Sequence, residues 1–117
     1  MQFEKYQKEI DKQLSKIKLS NNPKDLYDPV RYMLKMKSKR VRPILAILAY
    51  KLVHPNWKKV IQSCLSLELF HNFTLIHDDI MDKAPIRRGK KTIHEKWNKN
   101  IGILSGDLLM ILAYDMI

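Results

Sequence analysis

Apolar residues recur every three or four positions along most of the chain, and short polar stretches interrupt them. In residues 1–18 they alternate with lysines at the spacing of an amphipathic helix with one buried face. The apolar positions there are Phe3, Tyr6, Ile10, Leu14 and Ile17. The stretch Ser20–Pro23 predicts the end of this helix. No segment shows the period of two that is typical of a strand, so the predicted class is all-α.

Two further helices are predicted before residue 55. One runs from Lys24 to about Met36, with its inward side chains being Leu26, Val30, Met33 and Leu34. The other runs from Ile44 to Val53, because Pro43 suits the first helical position and His54 and Pro55 end the apolar run.

Three helices are predicted in the second half of the chain. The longest runs from Trp57 to about Asp82 with Asn56 as its N-cap, and Ala84 and Pro85 follow it. Residues Thr92–Glu95 have the spacing of a capping box, which predicts a short helix there. The last helix is predicted over Ile101 to Ile117.

The long helix carries an acidic stripe on an otherwise apolar surface, so we expect it to be buried nearly all round. Steps of three and four residues place five positions on one face: Glu68, His71, Leu75, Asp78 and Asp82. A buried carboxylate without a partner costs several kcal/mol, so a cation is expected beside the stripe.

Asp78 and Asp82 lie one helical turn apart in this prediction, with Cβ atoms about 5–6 Å from each other. Mg²⁺ is usually held by one or two carboxylates together with substrate phosphates and water. These two residues are therefore candidate metal ligands, and Asp79 is either a weaker ligand or a hydrogen-bond acceptor behind them.

The chain is strongly basic, with 22 Lys and Arg against 12 Asp and Glu and a net charge of +10. Charge alone favours nucleic acid or an anionic membrane surface as the partner. However, basic residues concentrate in 31–42 and 83–91, on either side of the acidic stripe. This distribution fits a small phosphorylated ligand held through a metal better, and we expect no nucleic-acid partner.

The single cysteine, Cys64, lies among apolar residues and is expected to be a core residue of a protein in a reducing compartment. The N-terminus does not resemble a signal peptide, and no apolar run reaches the roughly 18 residues of a spanning helix. A cytoplasmic protein without a transmembrane segment is predicted. The apolar C-terminal helix has no glycine cap or basic last turn, which predicts that the chain continues beyond residue 117.

Three segments in order resemble motifs of the trans-polyprenyl diphosphate synthases. Residues 77–82, HDDIMD, followed by Arg87–Gly89, resemble the first aspartate-rich motif, DDxxD. Residues 39–43, KRVRP, resemble the GKRxRP segment, and residues 105–109, SGDLL, resemble the helix that follows the motif. The resemblance covers about residues 28–117.

The resemblance implies an isoprenoid-synthase-type helical bundle, of which residues 1–117 would be the N-terminal part of one domain. A second aspartate-rich motif, expected on a later helix, is missing from these residues, whose only acids after Asp82 are Glu95, Asp107 and Asp115. The resemblance also implies a homodimer. One departure is Ser38, which replaces the usual glycine before the lysine.

The activity implied is the Mg²⁺-dependent condensation of isopentenyl diphosphate with an allylic prenyl diphosphate. In that reading Asp78, Asp79 and Asp82 are catalytic, and Asp78 and Asp82 bind the metal. Arg87 would bind the allylic diphosphate. The residues implied to bind isopentenyl diphosphate are Lys39, Arg42, His71 and Arg88. Phe73 and Thr74, five and four positions before the first aspartate, would influence product length and favour geranylgeranyl or longer products.

Other functions remain open on the sequence. The His77–Asp78 doublet also occurs in HD-type metal phosphohydrolases, but that reading leaves Asp82, Arg87 and Arg88 unused. A class I terpene cyclase shares DDxxD but lacks two basic groups for two diphosphates. A basic nucleic-acid-binding helical module predicts steep salt dependence. A non-catalytic partner subunit of a synthase is the alternative within the family.

Overall fold

Six helices form most of the molecule, in a computed structural model that describes residues 2–117. They are α1 (Gln2–Ser15), α2 (Lys24–Lys35), α3 (Val41–Lys51), α4 (Ile61–Met81), α5 (Ile93–Lys96) and α6 (Lys99–Asp115). A 3₁₀ turn, Trp57–Val60, precedes α4. A small antiparallel hairpin joins α4 to α5, with strands β1 (Ile86–Arg87) and β2 (Lys90–Lys91). The predicted all-α class is confirmed, although the hairpin is not predicted, because two-residue strands are too short to show alternation.

Helix α4 is the centre of the fold. It packs along α6 and also contacts α3 and α1, while α2 and α5 pack on α6. The buried hydrophobic side chains come from every helix, and the largest that are fully buried are Tyr6, Ile10, Met33, Met36, Ile44, Ile47, Leu69 and Leu109. The prediction that α4 is buried nearly all round is wrong, since Leu67 is 46% exposed and Phe70 is 40% exposed.

Two glycines bring α6 close to the end of α4 that carries the acidic residues. A Cβ atom on Gly106 would lie 2.5 Å from Nε2 of His77, and one on Gly102 would lie 2.9 Å from Cδ1 of Ile80. The Asn98 side chain caps α6 by accepting a hydrogen bond from the Ile101 backbone N–H at 2.8 Å. The residues predicted as a helix after the motif therefore lie directly beside it.

Several predicted helix ends differ from those observed. Helix α3 begins at Val41, so Pro43 is its third residue, where a missing N–H breaks no intrahelical bond. The Asn56 side chain makes no capping hydrogen bond, and a 3₁₀ turn separates it from α4. The short helix α5 is present, but the Thr92 hydroxyl does not cap it. That hydroxyl instead donates to the Ala84 carbonyl at 2.8 Å and holds the base of the hairpin.

Cys64 is a free thiol buried in the core, and burial raises the pKa of that thiol. This agrees with its predicted role as a small core residue. Within residues 2–117, no helix combines the length and the apolar character needed to cross a membrane.

Candidate functional site

A cavity of about 120 Å³ lies between the segment before α3, the middle of α4 and the turn of the hairpin. The lining residues are Ser38, Lys39, Arg40, Val41, Arg42, Glu68, His71 and Arg88. Four of them are the basic residues predicted to bind one diphosphate: Lys39, Arg42, His71 and Arg88. The fold thus brings together four side chains that come from three separate segments.

His71 and Arg42 are in direct contact across this cavity. Nη1 of Arg42 lies 3.2 Å from Nε2 of His71. Because a guanidinium can only donate, Nε2 accepts and the ring proton lies on Nδ1. Burial lowers the pKa of His71, and the charge of Arg42 lowers it further, while Glu68 acts in the opposite direction. His71 is therefore neutral near pH 7.

Arg88 is held in an uncommon backbone conformation. Arg88 and Gly89 have φ values of +53° and +77° and form the two-residue turn between β1 and β2. Positive φ at both central positions is the signature of a type I′ turn, which suits glycine but is unfavourable for arginine. The strained turn places the Arg88 side chain against α4, where Nη2 donates to Oδ1 of Asn72 at 3.3 Å.

The other terminal nitrogen of Arg88, Nη1, is buried and has no hydrogen-bond partner within residues 2–117. Burial lowers the pKa of Arg88, and the neighbouring charge of Arg40 adds to this effect. A buried donor without an acceptor costs about 1–3 kcal/mol. An anion in the cavity would supply the missing acceptor and a compensating charge.

Asp78 and Asp82 lie at the C-terminal end of α4, one turn apart as predicted. The Asp82 backbone N–H donates to the Asp78 carbonyl at 2.8 Å, so the helical geometry continues across the motif. Both residues are exposed. The argument that burial makes these two carboxylates require a cation is therefore wrong.

Asp79 is the buried member of the motif, and its partner is Arg87. Nε of Arg87 donates to Oδ2 at 2.7 Å and Nη2 donates to Oδ1 at 2.8 Å, a bidentate pair. The hydrogen bond to Asp79 is the main cause of the raised pKa of Arg87. Of the two roles predicted for Asp79, this contact favours the hydrogen-bond acceptor behind the ligands.

Glu68 is also paired with an arginine. It is 1% exposed, and its Oε2 accepts from Nη1 of Arg40 at 2.7 Å. The expectation that a metal would compensate this end of the acidic stripe is wrong. The sequence prediction assigned no role to Arg40 or to Asn72, although Arg40 lies inside the recognised basic segment and Asn72 follows Glu68 by one helical turn.

Residues 2–117 contain no group of three or more His, Cys, Asp or Glu side chains arranged to hold a metal. Arginines engage Asp79 and Glu68, so Asp78 and Asp82 remain as two exposed carboxylates. Two carboxylates suit Mg²⁺ when phosphate oxygens and water complete its coordination. The donor set fits a magnesium ion that binds together with a phosphorylated ligand.

Phe73 and Thr74, predicted to influence product length, are half-buried on α4. The Phe73 ring makes edge contacts with His77 and Phe70, with centroid distances of 4.8 and 5.3 Å. The Thr74 hydroxyl donates to the His71 carbonyl at 2.6 Å. Phe73 therefore lies one turn before the acidic end of α4, and the Thr74 hydroxyl is bonded to its own helix.

A family model described as polyprenyl synthetase matches residues 23–117. The chain belongs to the polyprenyl synthetase family. It is 40% identical over 108 residues to a geranylgeranyl diphosphate synthase of Methanosarcina mazei, an alignment covering 92% of this chain and 33% of the relative. It is also 40% identical over 92 residues to a short chain isoprenyl diphosphate synthase of Methanocaldococcus jannaschii, covering 79% of this chain and 28% of the relative.

Solved structures of this family have the same fold. A geranylgeranyl pyrophosphate synthetase of Pyrococcus horikoshii superposes with a TM-score of 0.91 at 35% identity, covering 98% of this chain and 35% of that one. A heptaprenyl diphosphate synthase of Staphylococcus aureus gives a TM-score of 0.88 at 33% identity, covering 97% and 36%. The isoprenoid-synthase-type bundle is confirmed, and the chain spans about a third of the length of the curated relatives it matches.

Proposed function

We propose that the protein is a Mg²⁺-dependent prenyltransferase that condenses isopentenyl diphosphate with an allylic prenyl diphosphate to make a longer trans-polyprenyl diphosphate. The observation that carries the proposal is the cavity where four basic side chains from three segments converge. One of them has a buried N–H that lacks an acceptor among residues 2–117. The family match supports the reaction class. Because the chain spans about a third of its relatives, the proposal assigns it one side of the active site.

Each group has a distinct role in this proposal. Lys39, Arg42, His71 and Arg88 bind the diphosphate of isopentenyl diphosphate. Asp78 and Asp82 hold Mg²⁺, which when bound stabilises charge on the departing allylic diphosphate. Arg87 binds that diphosphate, and Asp79 fixes the plane of its guanidinium through two hydrogen bonds. These positive charges offset the repulsion between two diphosphates that lie side by side.

The proposal includes the remaining expectations from the sequence: a homodimer in the cytoplasm, no nucleic-acid partner, and products of geranylgeranyl length or longer. Thr74 as the smaller of the two length-determining residues supports the product length, and several relatives are named geranylgeranyl synthases. A non-catalytic partner subunit is the alternative from the sequence, and relatives named geranylgeranyl synthases do not favour it. An HD-type phosphohydrolase is not supported, because it needs a larger ligand cluster than residues 2–117 provide.

A chimera tests the proposed activity. Residues 23–117 would replace the matching segment of the Methanosarcina mazei geranylgeranyl diphosphate synthase, with the unaltered relative as the positive control. We expect Mg²⁺-dependent incorporation of labelled isopentenyl diphosphate with dimethylallyl, geranyl or farnesyl diphosphate as the acceptor. A chimera that folds, as judged by circular dichroism and a cooperative thermal transition, but shows no turnover would contradict catalysis and favour the partner-subunit role.

Binding of a diphosphate should draw a proton onto His71. In the free protein burial and Arg42 lower the pKa of His71, whereas an adjacent anion raises it. Between these two pKa values the complex holds more protons than the free protein. The affinity for isopentenyl diphosphate should therefore rise several-fold as pH falls from about 8 to about 6.

Isothermal titration of the chain in buffers of different ionisation enthalpy measures this proton uptake. His71→Gln is the control, because glutamine is polar but cannot take up a proton. Any proton uptake that remains in this variant then comes from the ligand itself. The same pH dependence in both proteins would show that His71 takes up no proton.

A further inference from the structure

Arg40 is the most enclosed basic residue near the site, at 4% exposure. It precedes α3 and adopts a left-handed backbone conformation, with φ of 53° and ψ of 38°. This region is uncommon for a residue other than glycine, asparagine or aspartate, and it persists when surrounding contacts hold it. The Arg40 backbone N–H donates to Oγ of Ser38 at 3.3 Å and its carbonyl accepts from the Ile44 N–H at 3.2 Å, and its side chain makes further contacts.

The Arg40 guanidinium connects three helices to the segment that carries it. Nε donates to Oδ1 of Asp11 on α1 at 2.8 Å, and Nη1 donates to Oε2 of Glu68 on α4 at 2.7 Å. Nη2 donates to the Leu34 and Met36 carbonyls at the end of α2, at 3.2 and 3.1 Å. These four hydrogen bonds involve all three nitrogens of the guanidinium group.

Arg40 lies between Lys39 and Arg42, so its contacts also affect the lining of the cavity. Lys39 and Arg42 lie on the same short segment, and both are exposed. His71 follows Glu68 by three residues on α4, so the two lie next to each other on that helix. The Arg40–Glu68 pair therefore sets how far Lys39 and Arg42 lie from His71.

We propose that Arg40 is a positioning residue, which orders residues 37–42 against α4 so that Lys39, Arg42 and His71 converge on one diphosphate. This inference rests on the proposed function of the cavity. Arg40 borders the cavity, but we infer that it acts through its protein contacts, because all three guanidinium nitrogens donate to protein acceptors and its side chain is 3% exposed.

Arg40→Lys tests whether the guanidinium contacts, rather than the positive charge, order residues 37–42. An ammonium keeps the charge but cannot reach the separate acceptors of the planar guanidinium. Lys37→Met is the matched control, since Lys37 is exposed on the same segment and does not line the 120 Å³ cavity. Arg40→Met with Glu68→Met is the second variant. It replaces the buried pair by apolar side chains of similar volume, a change that folds often tolerate.

Two measurements on the 117-residue chain separate the possible roles. The first is the affinity for isopentenyl diphosphate by isothermal titration. The second is amide hydrogen exchange of residues 38–44 without ligand, which a role in direct binding would leave unchanged. We expect Arg40→Lys and the double variant to weaken binding about tenfold or more and to speed exchange in this segment by a similar factor, with α6 unaffected. Lys37→Met should change both by less than about threefold.

Affinity within about twofold of the unaltered chain in Arg40→Lys would overturn the inference and leave the proposed function standing. An equal loss in Lys37→Met would also overturn it, because a substitution in this segment that leaves the Arg40 contacts intact would then weaken binding to the same extent. If the unaltered chain fails to bind isopentenyl diphosphate, the proposed function is contradicted. Faster exchange in Arg40→Lys would in that case still support the ordering of residues 37–42 by Arg40.

Discussion

Asp78→Ala in the chimera should lower Mg²⁺-dependent turnover by about two to three orders of magnitude. Asp78 and Asp82 are the two carboxylates of the motif that no arginine pairs with among residues 2–117, and they lie one turn apart at the end of α4. Loss of one carboxylate leaves only Asp82 from this motif as a proposed ligand for the ion. The Mg²⁺ concentration needed for half-maximal rate should therefore rise as the rate falls, and Asp82→Ala should behave in the same way.

Asp115→Ala is the matched control for this measurement. Asp115 is an exposed aspartate at the end of α6, and it lines a separate cavity. Its removal should leave both the rate and the Mg²⁺ requirement within about twofold of the unaltered chimera. If Asp78→Ala retained most of the turnover at the same Mg²⁺ concentration, Asp78 would not be a metal ligand.

Glu68→Ala should destabilise the 117-residue chain by about 3–5 kcal/mol, a large fraction of the roughly 5–15 kcal/mol typical of a domain. Glu68 and Arg40 are both buried, and truncation of the carboxylate leaves a guanidinium charge enclosed beside α4 without its closest counter-charge. Urea unfolding at pH 7, followed by circular dichroism, measures the change.

Asp11→Ala separates the buried contact from the exposed one. Asp11 pairs with the same guanidinium, but its side chain is 49% exposed. Water can replace that contact, so its loss should cost about 1 kcal/mol or less. Equal destabilisation by the two substitutions would show that burial does not make the Arg40–Glu68 pair contribute more to the free energy of unfolding than the exposed pair.

The helices and the order of the motifs were largely predictable from local patterns. The spacing of apolar residues, together with helix start and stop signals, locates all six helices to within a few residues, because a helix forms from hydrogen bonds between residues four apart. The relation between Asp78 and Asp82 is of the same local kind, and the observed backbone bond between them agrees with it. Errors fall at helix ends, where groups outside the helix compete for the capping side chains, as the Ala84 backbone carbonyl does for the Thr92 hydroxyl.

The pairing of charges could not be predicted in this way. The sequence places four acidic residues on one helix and predicts a cation beside the stripe of Glu68, Asp78 and Asp82, with Asp79 as a weaker ligand or a hydrogen-bond acceptor. In the fold, Glu68 instead pairs with Arg40, which lies 28 residues away in the chain. Asp79 on α4 pairs with Arg87 on β1. Only the exposed pair, Asp78 and Asp82, remains for a cation.

Local spacing and motif order were enough to predict a helical member of the polyprenyl synthetase family, and the family match confirms that prediction. Tertiary packing decided which acidic and basic side chains neutralise each other and which stay available, as Arg88 does with its buried Nη1 lacking an acceptor among residues 2–117. The physical reason is that helical periodicity depends on neighbours within one turn. The partner of a buried charge depends on how segments far apart in the chain pack together.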